Sequence, residues 1–145
     1  MNLPSGDNRN VYGLDLGFLG SAIESKGIVL NLIGNFRSFS DSQDDSGTKG
    51  IQIAGLLNGG EVRGIQIAGF WNNGGEVRGI QVGAVNYSEK ATGLQCGLYN
   101  GAKSVRVVQI GFINLTEELS GLQIGLINYI GESPVPILPI INLKF

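Results

Sequence analysis

The sequence predicts an all-β repeat protein, a β-solenoid of about 14 residues per coil. Three observations carry this reading. A unit of the form Gly-(Ile/Leu)-Gln-(Ile/Val/Cys)-Gly-apolar-apolar-Asn recurs, and its closing residues Asn58, Asn72, Asn86, Asn100, Asn114 and Asn128 stand 14 apart. Inside the unit apolar residues alternate with Gly or Gln, which is the period of a strand and not of a helix. Glycine fills 24 of 145 positions, a density that would cost a helix about 1 kcal/mol at each.

The elements follow in order. Residues 1–10 read as a polar lead-in, and residues 11–145 as one all-β repeat domain, a length that supports a single core. Degenerate repeats occupy 11–36. The first, from Gly13, has Asp15 for Gln and Gly20 for Asn. The second, from Gly27 to Gly34, puts Asn31 where the inner glycine belongs. Ser21–Lys26 is read as a connection between them. Residues 37–49 (RSFSDSQDDSGTK) form a polar, serine-rich loop, and its Asp41, Asp44 and Asp45 lack the spacing and the bidentate Glu of a calcium loop. Regular repeats fill 50–128, with Gln52, Gln66, Gln81, Gln95, Gln109 and Gln123 in step except for one interval of 15, because the first two copies carry an extra Ala54 or Ala68. Val107 replaces the opening glycine of its copy. Turn-forming, charged segments separate the copies. Tyr129–Pro136 is a linker, and residues 137–145 are a terminal strand in which Pro139 favours an edge.

Two architectures fit such units. In a solenoid each unit is one coil in parallel register with the next. Leu94, Cys96, Leu98, Ala102 and Val105 would point inward, Leu57, Trp71, Val85, Tyr99, Ile113 and Ile127 outward, and the Gln and Asn rows would stack as hydrogen-bonded ladders. The alternative is a small antiparallel meander β-barrel of outer-membrane type, with aliphatic residues facing lipid, Gln and Gly lining the lumen, and Phe145 as a terminal insertion signal. Closure of a barrel needs shear, which strict 14-residue steps do not accumulate. The aliphatic stripe of about three residues is also short for a spanning strand of about 9–11. The solenoid is preferred.

Composition narrows the function classes. The net charge of −2 points away from nucleic acid and from an anionic membrane surface. With no histidine, the commonest general base and metal ligand is missing. Cys96 occupies an Ile/Val position and reads as a small hydrophobe. Asp15 paired with a Glu is the nearest approach to a carboxylate hydrolase, but acids scattered through turns read as solvated surface. No catalytic, cofactor-binding or metal residues are expected. Met1–Asp7 lacks the basic and apolar regions of a signal peptide.

The unit itself, together with Val11-Tyr12-Gly13-Leu14-Asp15-Leu16-Gly17 and the ending Pro136-Ile137-Leu138-Pro139-Ile140-Ile141-Asn142, resembles a family of bacterial surface-repeat proteins first named from leptospires. The resemblance implies a cell-envelope location, in the outer membrane or at the surface, and brings no catalytic residues. The expected function is a non-enzymatic structural scaffold or binding surface. The alternative is an outer-membrane barrel serving as anchor or narrow channel. The Gln and Asn rows are candidates for an internal ladder or lumen. Phe70 and Trp71, the one adjacent aromatic pair, are candidates for a contact, and Phe145 for a cap or insertion signal. Expected partners are a membrane, if the chain is a barrel, and further copies of the chain through solenoid ends or sheet edges. No ligand is named by the sequence.

Overall fold

The computed structural model describes residues 5–36 and 47–144; Asp41, Asp44, Asp45 and Phe145 lie outside the described residues. All elements within these ranges are strands: β1 (Ser5–Phe36), β2 (Gly47–Ala54), β3 (Leu57–Gly59), β4 (Val62–Ala68), β5 (Trp71–Val82), β6 (Val85–Ile130) and β7 (Ile137–Lys144). The 46 residues of β6 would reach about 150 Å if straight, at ~3.3 Å per residue. Instead β6 winds on itself, since Gln95, Gln109 and Gln123 within it are hydrogen-bonded one to the next. The chain is a β-solenoid of about seven turns.

Parallel pairing decides the architecture. Gly27, Gly50, Gly64, Gly79 and Gly93 stand in one register row, and Asn35, Asn58, Asn72 and Asn86 in another. An antiparallel meander would pair neighbours in opposite directions, so the barrel alternative falls.

The degenerate units align differently from expectation. Glu24 to Lys26 already pair with Gly47 to Lys49, so β2 begins inside the predicted loop. Likewise β1 begins at Ser5, inside the predicted lead-in, and runs without interruption through residues 21–26. Asn31 pairs with Ala54, and the backbone of Leu32 lies beneath Gly55. The second unit therefore has the longer form of the first two regular copies and closes at Asn35, not Gly34. The step from Gly27 to Gly50 is 23 residues, nine more than a coil of 14, which hides this alignment.

The faces of the strands are also reversed. Gln66, Gln81, Gln109 and Gln123 are fully buried, while Leu98 is 57% exposed. Leu94 and Cys96, which flank the buried Gln95, are only half-buried, as alternation along a strand requires. Ala102 and Val105 do point inward. The interior is thus half amide, from the Gln and Asn rows, and half small aliphatic, around Ala91, Ala102, Val105, Leu119 and Ile130. Strict alternation would put Leu122, Ile124, Leu126 and Asn128 on one face, but it breaks at a corner: Leu126 and Ile127 are both exposed, and Asn128 is fully buried. There the chain passes from one wall of the coil to the other.

β7 lies antiparallel on the last coil, pairing from Gly121↔Lys144 to Tyr129↔Ile137 with a register shift between Gly125 and Asn128. It is the outermost strand of the sheet order, which is the edge position expected for Pro139.

Candidate functional site

The amide rows form the support. Gln66 Nε2 donates to Gln52 Oε1 at 3.0 Å, and the row continues at 2.7–2.9 Å through Gln81, Gln95 and Gln109 to Gln123. The Asn row runs with the opposite polarity: Asn72 Nδ2 donates forward to Asn86 Oδ1 at 2.8 Å, and so on to Asn128. From Asn58 to Asn114 each Asn also donates to a backbone carbonyl in the next coil, as Asn86 does to Cys96 at 2.8 Å and Asn100 to Ile110 at 2.8 Å. These carbonyls stand where regular strand pairing stops at the corner, and the side chain supplies a donor there, for Cys96 in addition to Gly83 N at 3.1 Å. Glycine at the inner position is enforced by this contact: a Cβ at Gly111 would strike the carbonyl oxygen of Gly97 and Nδ2 of Asn100. Because the rows are buried, they present no Gln/Asn surface to a partner.

What the coils present instead is apolar. From Gly27 to Asn128 every charged residue falls between a unit's Asn and the start of the next unit. The arm from Gly to Asn is free of charge in each coil, and its outward positions carry only aliphatic, aromatic, Ala or Cys side chains. At the corner Leu56, Phe70, Leu98, Phe112 and Leu126 are each more than half exposed. Phe70 and Trp71, at 55% and 43% exposure, both lie on this surface. Of the five Trp and Tyr residues, four stand directly beside a ladder Asn: Trp71, Tyr87, Tyr99 and Tyr129. That is the border between the apolar and charged arms. The row of Val82, Cys96, Ile110 and Ile124 and the corner row of Ala84, Leu98, Phe112 and Leu126 wall an open groove of about 560 Å³, floored by glycine and ended by Ile140.

The opposite arm is charged and exposed. Arg78 bonds Glu76 at 2.9 Å, and Lys103 reaches Glu89 one coil away at 3.2 Å. That hydrogen bond, with the attraction of Glu89, holds the Lys103 pKa above its ordinary value. Asp15 is buried in the first coil, whereas Glu61, Glu89, Glu117 and Glu118 are exposed on the charged arm. The structure does not bring them together. Among the described residues, no group of three or more His, Cys, Asp or Glu is placed to hold a metal ion, and no helix is long and apolar enough to cross a membrane.

The apolar arm was not foreseen from the strand pattern, which separates two faces without saying which one is buried. A signal was present: charge is confined to one half of every unit. The chain matches no protein-family model, no curated protein and no solved structure.

Proposed function

We propose that the chain is a non-enzymatic repeat protein of the bacterial cell envelope, a scaffold whose uncharged arm is its binding surface. One observation carries this: a water-exposed apolar strip that continues through successive coils on a rigid, amide-laddered support. Soluble monomers rarely expose contiguous apolar patches beyond a few hundred Å², and larger ones mark interaction sites. The lack of histidine and the separation of Asp15 from the exposed glutamates favour binding over catalysis. The envelope location rests on the resemblance of the repeat unit.

The test is sedimentation with cell envelopes isolated from a bacterium with two membranes. The wild-type chain is expected in the pellet. A Leu98→Glu/Phe112→Glu variant, with both changes at outward corner positions, is expected in the supernatant with an unchanged far-UV circular dichroism spectrum. If that variant pellets like the wild type, the arm is not the binding surface.

A further inference from the structure

We infer that the partner of the uncharged arm is the hydrocarbon edge of a lipid layer, on which the solenoid lies with its axis in the membrane plane. This rests on the reading of that arm as a binding surface and names its occupant. Three observations favour lipid.

The first is the order of side chains around the coil. Leu and Phe stand at the corner, with Leu98 and Phe112 at 57% and Leu126 at 64% exposure. Trp71, Tyr87, Tyr99 and Tyr129 stand next, beside the ladder asparagines, and Glu, Lys and Arg come last, on the opposite arm. Hydrocarbon core, aromatic interface and water follow one another in the same order across a membrane surface. The second is uniformity. The outward positions of the arm carry no charge and no amide side chain in any unit from Gly27 to Asn128, and their only polar tips are the Trp71 indole N–H and the Tyr99 hydroxyl, both at the aromatic border. A folded protein or a carbohydrate would bring hydrogen-bonding groups that find no partner on the Leu, Ile, Val and Phe rows, whereas acyl chains bring none.

The third is the state of the backbone. A corner exposed to water can leave its amides to solvent, but in lipid each unpaired group costs several kcal/mol. Here the corner amides are paired coil to coil: Leu56 N donates to Ile33 O, Phe70 N to Leu56 O, Val85 N to Phe70 O and Leu98 N to Ala84 O, at 2.8–3.1 Å. Where strand pairing stops, buried Asn side chains take the carbonyls of Val82, Cys96, Ile110 and Ile124. Among the described residues the coils pair with one another along the axis, and β7 pairs with the last of them. Seven coils at ~4.8 Å would lie along about 34 Å of membrane, immersed to the ~5–10 Å typical of interfacial elements. The solenoid rests in one leaflet and does not span.

The experiment uses vesicles of phosphatidylcholine and the full chain. The single Trp71 reports immersion directly. Wild type is expected to float with the vesicles, to keep doing so at about 1 M salt, where charges are screened beyond ~3 Å, and to show a blue-shifted Trp71 emission quenched by brominated acyl chains. Leu98→Glu/Phe112→Glu is expected to lower partitioning at least about tenfold through lost apolar burial, while Arg106→Gln, on the charged arm, leaves it unchanged. Failure of the wild type to float, with envelope sedimentation intact, overturns the lipid assignment and leaves the binding surface standing. A Trp71 blue shift that grows with protein concentration in the absence of vesicles overturns it in favour of a second copy on the same arm.

Discussion

Asn100 shows what a single residue contributes to this fold. Its Nδ2 donates to Asn114 Oδ1 and to the Ile110 carbonyl, both at 2.8 Å, and its Oδ1 accepts from Asn86 Nδ2 at 2.8 Å. Asn100→Ala would therefore take a partner from three buried polar groups at once, although Asn86 Nδ2 keeps the Cys96 carbonyl. Each such group costs about 1–3 kcal/mol, against about 0.5–1.5 kcal/mol for an ordinary hydrogen bond made or lost in water. With relaxation of the neighbouring amides the expected loss is about 3 kcal/mol, read from the midpoint of urea unfolding. A loss below about 1 kcal/mol, of the size seen for exposed polar pairs, would mean the ladder is wet and contributes little. The Gln and Asn rows also oppose one another in direction, so their amide dipoles do not add along the axis.

At the scale of elements the last coil is where the ladders must stop. The Asn row ends cleanly, with Asn128 Nδ2 donating to the Gly125 carbonyl at 3.0 Å. The Gln row does not: Gln123 Oε1 has no partner, and Asn142 of β7, its register neighbour, has a buried Nδ2 with no partner. One is an acceptor and the other a donor, separated by a side chain one methylene short. Asn142→Gln is expected to close the row and raise stability by about 1 kcal/mol, seen as a higher thermal midpoint; a lower midpoint would show that the longer side chain does not fit under β7. How much of this was legible in the sequence depends on the element. The 14-residue step, the strand assignment, the row memberships from Gln52 to Gln123 and the edge role of Pro139 could all be read directly, because they are periodicities or local backbone rules. Which face is buried could not. Alternation separates Ile124 from Gln123 but is silent on which turns inward, and the usual preference for buried aliphatics gives the wrong answer here. Stacked identical amides satisfy one another, and the buried Asn row also donates to the corner carbonyls. Asn35 escaped notice because the nine extra residues before Gly50 break the count. The corner at Gly125–Leu126 escaped because two successive outward residues look, in sequence, like a continuing strand.

For the whole molecule, the coil is the unit of stability, since each coil touches mainly its neighbours and the ladders pass through all of them. Register then depends on the length of the unit between one Gln and the next more than on any particular side chain. Deleting Gln95–Val108 removes 14 residues and joins Gly93-Leu94 to Gln109-Ile110, restoring an intact unit. Gln109 would then stack on Gln81 and Asn114 on Asn86. The expected product is a solenoid shorter by one turn, still β-rich and cooperative, with a urea slope lower by roughly one part in seven because that slope follows the surface exposed on unfolding. Deleting Gln95–Val107, one residue fewer, leaves an extra residue inside the strand between Gly93 and Gln109. A one-residue slip sends every side chain to the other face, so Gln109 would turn outward and Ile110 into the amide lumen unless a bulge absorbs it. That variant is expected to lose cooperative unfolding, although it retains more of the chain. Should the two deletions unfold with the same midpoint and slope, the amide rows would not be what holds successive coils in register, and the small aliphatic cluster of Ala91, Ala102, Val105, Leu119 and Ile130 would have to do so alone.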